Sequence, residues 1–447
     1  MTTRTPEDLE PSSLGPFEFG MLLDRRHLTP TYQAIFDLTS GEQIGAEALA
    51  RWPKLGITPD VAFRSATRQR RLADLDEACR HAAIDDAISH GLPPKFALFV
   101  NLEPSVLGPT TAHSLVELAG DQVELVVEIT ERALLHRPAE LLRAVKTLRT
   151  AGYAIALDDV GANPDSLALL PFVAPDVIKL DLSLVQRWRD ADQAAIYTAV
   201  AAYAERTGAT ILAEGIENHA NLQKALALGA TLGQGWHLSR PGPLGQLTSP
   251  GQTRLATHRP HIPAPLSPFS LLRPSDLRTA PKGLLLDISH HIENQGLALE
   301  TPPVILGAFQ HARYFTPYTA RRYARLADRC HLVAALGVDL PAEPVPGVRG
   351  ASLRADDTLG REWVVVVIGT HYAGALIAQD MGDTGPDRDR RFAFSLTHDH
   401  ETVLAAARSL LTRVIATSAF PDVDSDLDSD VDVDGILPDG ILPDPSS

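Results

Sequence analysis

The chain has 447 residues, 44% of them hydrophobic and 21% charged, with a formal net charge of −16 at pH 7. That length predicts two domains rather than one core, and no apolar run approaches the roughly 18 residues of a membrane-spanning helix. Nine aspartates and no Lys or Arg lie between Asp422 and Asp444, leaving −7 on the rest, a balance that repels nucleic acid but admits an anionic ligand held by a metal or a local Arg.

Residues 1–15 read as a flexible lead without the charged-then-apolar layout of a secretion signal, so a cytoplasmic location is expected. Cys79 and Cys330, far apart and without partner spacing, read as free thiols. From 16 to 245, eight apolar runs read as strands: TYQAIFDL, QIGAEALARW, FALFVNL, ELVVEIT, YAIALDDV, DVIKLD, ATILAEGI and TLGQGWHLS. Most gaps hold helical stretches, among them Leu75–Ser89, Ala139–Thr150, Ala191–Arg206 and His219–Leu228. This alternation predicts the α/β class and a TIM-like (β/α)8 barrel. The first gap, TSGE, is too short for a crossover helix, so the first two strands should pair antiparallel.

Residues 246–268, rich in Pro, Ser and Thr, read as a linker, and 269–415 as a second, smaller α/β domain. Residues 416–447 read as a disordered acidic tail. Its DVDVDG resembles the opening of a calcium loop, but the twelfth position is Ile441 rather than Glu, so the tail is read as solvated.

The ends of the barrel runs carry the chemistry. Run two delivers Glu47, run three Asn101, run four Glu128 and run five the adjacent Asp158 and Asp159. Run six gives Lys179 and Asp181, run seven Glu214 and run eight Gln234. One acid at a strand end is ordinarily a helix cap, but so many cannot all be caps, and a parallel barrel gathers such ends at its C-terminal mouth. Carboxylates and an amide, without Cys or His, suit hard cations such as Mg²⁺ or Mn²⁺. Paired Asp158 and Asp159 suggest a carboxylate bridging two ions about 3.5–4 Å apart, the arrangement that clamps an in-line phosphoryl displacement. Lys179 is suited to orient water or neutralise charge, Glu214 to take a proton, and Arg51, four residues past Glu47, to grip a phosphate. The residues alone thus predict a two-metal hydrolase of a phosphoester, its substrate open.

The same residues resemble the EAL-domain phosphodiesterases, which cleave the bacterial second messenger cyclic di-GMP. The name-giving triplet is Glu47-Ala48-Leu49, completed by Arg51 and Trp52. YQAIFDL, FVNLEPSVL, VVEITE, ALDDVG, VIKLDLSLV, ILAEGIEN and LGQGWHLSRP follow in the family's order over about residues 15–245. The resemblance implies that Glu47, Asn101, Glu128 and Asp158 hold one metal, with Asp158 reaching the second, which Asp159 and Asp181 serve. It implies that Lys179 and Glu214 activate water, with Glu47 counted in the catalytic set. Gln234 lies beside metals and substrate, Gln33, Leu49 and Arg51 contact the dinucleotide, and Glu131 and Glu217 support the loop after strand five. Cleavage to linear pGpG and a homodimer through the barrel are implied too. The departure is in that loop. The usual F-G-T-G-Y-S-S is here Val160-Gly161-Ala162-Asn163-Pro164-Asp165-Ser166, which bears on turnover and regulation more than on metal binding. A weak or inactive barrel serving as a receptor or scaffold is the alternative.

The second domain is similar to the DICT domain, a sensory or interaction module, through AFQHARYF and RYARLA. Its signal or protein partner is not legible. His290-His291, placed on a strand, would face opposite ways, and His398-Asp399-His400 lacks a recognisable third ligand, so metal binding is not expected there. TARRYARLADR reads as a basic helix face for solvent or domain contact rather than DNA.

Overall fold

The structure is a computed structural model and describes residues 16–414 except 94, 107, 121, 131–136, 162–166, 168–169, 187–190, 247–254, 256–263, 300 and 385. After α1 (Pro16–Leu22) come β1 (Thr29–Asp37), β2 (Gln43–Arg51), α2 (Pro59–Arg68), α3 (Leu72–His90), β3 (Ala97–Asn101), α4 (Pro109–Ala119) and β4 (Glu124–Thr130). Next are α5 (Pro138–Thr150), β5 (Ala154–Val160), α6 (Leu170–Val173), β6 (Val177–Leu180), α7 (Leu182–Gln186), α8 (Ala191–Thr207), β7 (Thr210–Ala213), α9 (His219–Ala227) and β8 (Leu232–Gly233). The eight strands close into a barrel in chain order. β1 is antiparallel to both neighbours, β2 and β8, and the other pairings are parallel. The short TSGE connection dictates that inversion, as expected. β8 is far shorter than its apolar run, since Gln234 onward leaves the sheet.

The strands alternate strictly between two cores. One side of β3 to β8 contributes Ala97, Phe99, Val126, Ala154, Ala156, Val177, Leu212 and Leu232 to the barrel interior, joined by Ile35 and Ile44. The other side, such as Leu125, Val127 and Ile129 on β4 or Ile178 and Leu180 on β6, packs under the helices. Leu255, within the expected linker, is buried with the interior set. Helices α2, α4 and α5 each begin with Pro in the first turn, where its missing N–H and fixed φ cost nothing.

The C-terminal part is a seven-stranded mixed sheet in the order β12-β11-β10-β13-β14-β15-β9. Its strands are β9 (Arg278–Pro281), β10 (Val304–His311), β11 (Leu332–Val338), β12 (Arg349–Leu353), β13 (Glu362–Ile368), β14 (Ala373–Asp380) and β15 (Arg391–Thr397), with helices α10 (Lys282–Leu297), α11 (Pro317–Ala327) and α12 (His400–Leu411). Every residue of β13, EWVVVVI, is buried, because α10 covers one face of the sheet and α12 the other. His290 and His291, read above as strand residues, lie on α10, so their 100° separation on a helix replaces the expected opposite facing. His398 follows β15, Asp399 caps α12 by accepting from Thr402 N, and His400 opens that helix.

The two parts share a core. From Val403 to Leu411 every residue of α12 is buried, which a helix covered on one side only would not show. Its second cover is α5 and α6 of the barrel, and one apolar cluster runs from Leu141, Leu148 and Phe172 to Val403, Leu410 and Val414. Arg408 Nη1 crosses this boundary to donate to the Phe172 carbonyl at 2.7 Å, and Ala139 N donates to Val414 O at 3.3 Å. Among the described residues no helix is long and apolar enough to cross a membrane.

Candidate active site

The inward-facing positions climb in steps of two from an apolar floor to a polar mouth. Phe99 is followed by Asn101, Val126 by Glu128, Ala156 by Asp158, Val177 by Lys179, Leu212 by Glu214 and Leu232 by Gln234. The strand period therefore brings these side chains to one height at the C-terminal end of the barrel.

Lys179 is the centre. Its side chain is 1% exposed, and Nζ lies 2.6 Å from Glu128 Oε1, 2.8 Å from Glu214 Oε1, 2.9 Å from Asp158 Oδ1 and 3.7 Å from Glu47 Oε1. Three close carboxylates match the three donors of an ammonium. Burial pulls the Lys179 pKa down, but Asp158, Glu128, Glu214 and Glu47 together hold it well above the usual lysine range. Glu214 is pushed up to about 8, mainly by burial, with Asp158 and Glu47 adding repulsion that Lys179 partly offsets. Burial first, then Glu47, raises Glu128 well above the usual carboxylate range.

Around this centre, Asn101 Nδ2 donates to Glu47 Oε1 at 3.1 Å and Gln234 Nε2 to Glu47 Oε2 at 2.7 Å. Gln234 also reaches Glu214 Oε1 at 3.4 Å. Gly235 allows that placement. At φ +151°, a Cβ there would sit 2.3 Å from the Ile216 main chain, so the chain leaving β8 can pass against the end of β7 only without a side chain.

Neighbouring residues of a regular strand point to opposite faces, so Asp158 and Asp159 need a device to act together. The pairing of β5 with β6 slips between Leu157 and Val160, and Asp159 takes the left-handed φ of 56°, which Asp tolerates better than most residues. Through that bulge one carboxylate oxygen each from Asp158, Asp159 and Glu214 comes within 4.8 Å of the others. Asp181 stands apart from this trio, accepting from Ser183 N at 2.8 Å at the start of α7.

The donor set fits a hard cation. The carboxylates of Glu47, Glu128, Asp158 and Glu214 surround the ammonium of Lys179, and Asp159 stands beside Asp158 and Glu214. Glu128 Oε1 is taken by Lys179, but buried Glu128 Oε2 and Gln234 Oε1 have no hydrogen-bond partner among the described residues. Buried acceptors left this way are costly unless a cation takes them.

The remaining expected residues sit around the rim. Gln33, on β1 opposite Glu47, donates to Ser239 O at 3.4 Å. Leu49 and Arg51 lie half-buried at the end of β2, with Arg51 Nη1 on Ala50 O at 2.9 Å. Trp52 is packing instead: it is buried, and its Nε1 holds Leu22 O of α1 at 2.9 Å. Glu217 is exposed beyond β7, its N–H on Asn221 Oδ1 at 3.3 Å. Glu131 and the altered segment from Ala162 to Ser166 lie outside the described residues.

Two features escaped the sequence reading. Asp76 and Arg80 of α3 form a buried pair at 2.8 Å, and Asp76 Oδ1 accepts from Glu103 N at 3.1 Å, which fixes the chain just past Asn101. Their i, i+4 spacing on a helix was the available signal. Trp236, two residues past Gln234, is 57% exposed with the Arg240 guanidinium 4.8 Å from its ring centroid. An aromatic two residues past the polar end of a barrel run was the available signal.

Parts of this chain are similar to known proteins. A model of the EAL domain matches residues 19–241, and one of the DICT domain, described as a sensory domain in diguanylate cyclases and two-component systems, matches 268–381. The cyclic di-GMP phosphodiesterase RocR of Pseudomonas aeruginosa is 30% identical over 238 residues, 49% of this chain and 59% of RocR, so the chain spans less than two thirds of that relative. The uncharacterized protein Mb1392c of Mycobacterium bovis is 30% identical over 240 residues, 50% of this chain and 78% of that protein. Among solved structures, the PaMucR phosphodiesterase in its c-di-GMP complex aligns with a TM-score of 0.46 at 28% identity, over 52% of this chain and 98% of that one.

Proposed function

Since this chain belongs to the EAL-domain family, we propose that its barrel hydrolyses cyclic di-GMP to the linear dinucleotide pGpG with two divalent cations, Mg²⁺ or Mn²⁺. The observation that carries this reading is Lys179, enclosed by Glu47, Glu128, Asp158 and Glu214 at the barrel mouth. Glu47, Asn101, Glu128 and Asp158 would hold one ion, Asp159 and Asp181 the other with a share of Asp158, and Gln234 completes the set. When bound, the ions supply positive charge against the phosphodiester and lower the pKa of water.

The residues do the rest. Water attacks phosphorus opposite the ribose 3′-oxygen, one phosphorus–oxygen bond forming as the other breaks. Glu214 takes the proton of the attacking water, and the leaving oxygen is protonated from solvent. Lys179 places its ammonium beside the developing charge and keeps Glu214 and Asp158 in register. Arg51 grips the second phosphate, Gln33 and Leu49 line the dinucleotide, and exposed Trp236 offers a flat face for a base. Glu131 and Glu217 steady the loop after β5, and the barrel pairs with a second copy. The DICT domain, docked through α12, modulates turnover.

The purified chain incubated with cyclic di-GMP and Mn²⁺ should release pGpG, and EDTA or Glu47→Ala should abolish it. Binding without cleavage would leave a receptor, the reading favoured by Ala162-Asn163-Pro164 in place of the usual loop. Neither binding nor cleavage would overturn the proposal.

A further inference from the structure

The C-terminal domain holds a second concentration of charge, opposite in sign to the barrel mouth. A cavity of ≈ 100 Å³ opens beside the ends of β10 and β14, with Gln310, Arg313, Tyr314, Arg361, Asp380 and Arg390 in its wall. It is formed by an irregular strand end. The register of β10 against β11 slips between Ala308 and His311, and Gln310, 6% exposed, takes a left-handed φ of 62°. A buried glutamine in that conformation persists only where its surroundings impose it, and such positions gather at ligand sites.

Tyr314 collects the cations. Its phenol oxygen accepts from Arg390 Nη1 at 2.6 Å and from Arg313 Nη2 at 3.3 Å. Over its ring lie Lys282 Nζ at 4.4 Å, the Arg313 guanidinium at 5.0 Å and that of Arg390 at 5.2 Å from the centroid. Two acids answer them: Asp380 binds Arg390, and Asp387 binds Lys282 at 2.6 Å and Arg390 at 3.2 Å. Arg313 and Arg361 are exposed at the cavity and have no carboxylate within ion-pair distance among the described residues. In the cavity wall itself the guanidiniums of Arg313, Arg361 and Arg390 stand against one carboxylate, Asp380, which leaves positive charge in a concave surface, with guanidinium forks that match a two-oxygen anion.

We propose that this cavity is an oxyanion site taking a phosphate or a carboxylate group. The carboxylate has a source within the chain. Arg413, near the end of the described residues, holds Asp357 through Nε at 2.8 Å, and Asp357 begins the short helical turn that ends at Arg361 in the cavity wall. That turn spans about 8 Å at the ~2 Å rise of a 3₁₀ helix. Asp422, the first of the nine aspartates, follows Val414 by eight residues, about 26 Å of extended chain. These C-terminal aspartates are the carboxylates the inference assigns to the site. The inference rests on this geometry and stands whether or not the barrel is a hydrolase.

The test is calorimetric titration of inorganic phosphate into the full chain in EDTA. It is repeated with Arg313→Met, with Arg361→Met, and with all nine C-terminal aspartates changed to Asn. Arg313 and Arg361 are exposed, so their variants should keep the parent unfolding midpoint, and each should weaken phosphate at least tenfold. If the chain's own aspartates occupy the site, the Asn variant will bind phosphate at least tenfold more tightly than the parent. If a free oxyanion is the ligand, the two will bind alike. No phosphate binding in either chain, or binding indifferent to both Arg variants, overturns the proposal and leaves an adventitious ion only.

Discussion

Lys179 and Arg408 are both buried cations, and their surroundings differ completely. Lys179, in the barrel mouth, touches three carboxylates within 2.9 Å and has a fourth at 3.7 Å. Arg408, between the barrel and the C-terminal sheet, has a carbonyl of Phe172 for a partner and an Nε without one. Their pKa values follow: the carboxylates hold Lys179 well above its usual value, whereas burial, then nearby Arg149, lowers Arg408 to about 10. The first site is built for positive charge in excess of what one lysine supplies. The second uses a long side chain to bridge two domains and tolerates its charge.

The largest effect that sharpens this contrast is removal of the lysine. Lys179→Met leaves Glu47, Glu128, Asp158 and Glu214 facing one another, and breaking a buried pair in this way costs about 3–5 kcal/mol. Urea unfolding of the metal-free variant should show that loss, with much of it restored by Mn²⁺. An unchanged midpoint would break the comparison on the barrel side.

Next comes the domain boundary. Arg408→Ala leaves a cavity between α12 and α6 and should cost about 2–3 kcal/mol. Arg408→Met, which keeps the apolar stem and drops the charge, should lie within about 1 kcal/mol of the parent, because an apolar isostere spares the desolvation penalty. Equal large losses in both variants would show the Arg408 charge to be as integral as that of Lys179.

A pH profile reads the third and smaller effect. The Glu214 pKa in the metal-free fold, about 8, lies above its unfolded value near 4.5. The folded state then binds the proton more tightly. The stability this contributes is complete below 4.5 and is lost as pH rises through 8, at a limiting slope of about 1.4 kcal/mol per pH unit. Melting temperatures of metal-free protein should fall across that window, and Glu214→Gln should flatten the fall. A profile unaffected by the substitution would show that other groups carry it.

The sequence made the barrel legible because its inner face has a strict period of two, and residues such as Val126 and Glu128 or Leu212 and Glu214 show it directly. The inversion of β1 followed from the length of one turn. The bulge that turns Asp159 beside Asp158 was not legible, since a φ of 56° leaves no trace in residue type beyond the tolerance of Asp for it. Nor was the shared core: that α12 packs a second apolar side against α5 and α6 is a tertiary fact. The histidines of α10 were misplaced because LLDISHHIE is apolar at both strand and helix spacing, and only length decides between them.

The measurement that bears most directly on the central claim is the Mn²⁺ stoichiometry of the full chain by titration calorimetry. Two ions per chain are expected, with loss of one in Asp159→Asn and of both in Glu47→Ala combined with Asp158→Asn. A parent chain that binds no Mn²⁺, or binds it as well after those changes, would contradict the reading of the Lys179 cluster as a cation cradle.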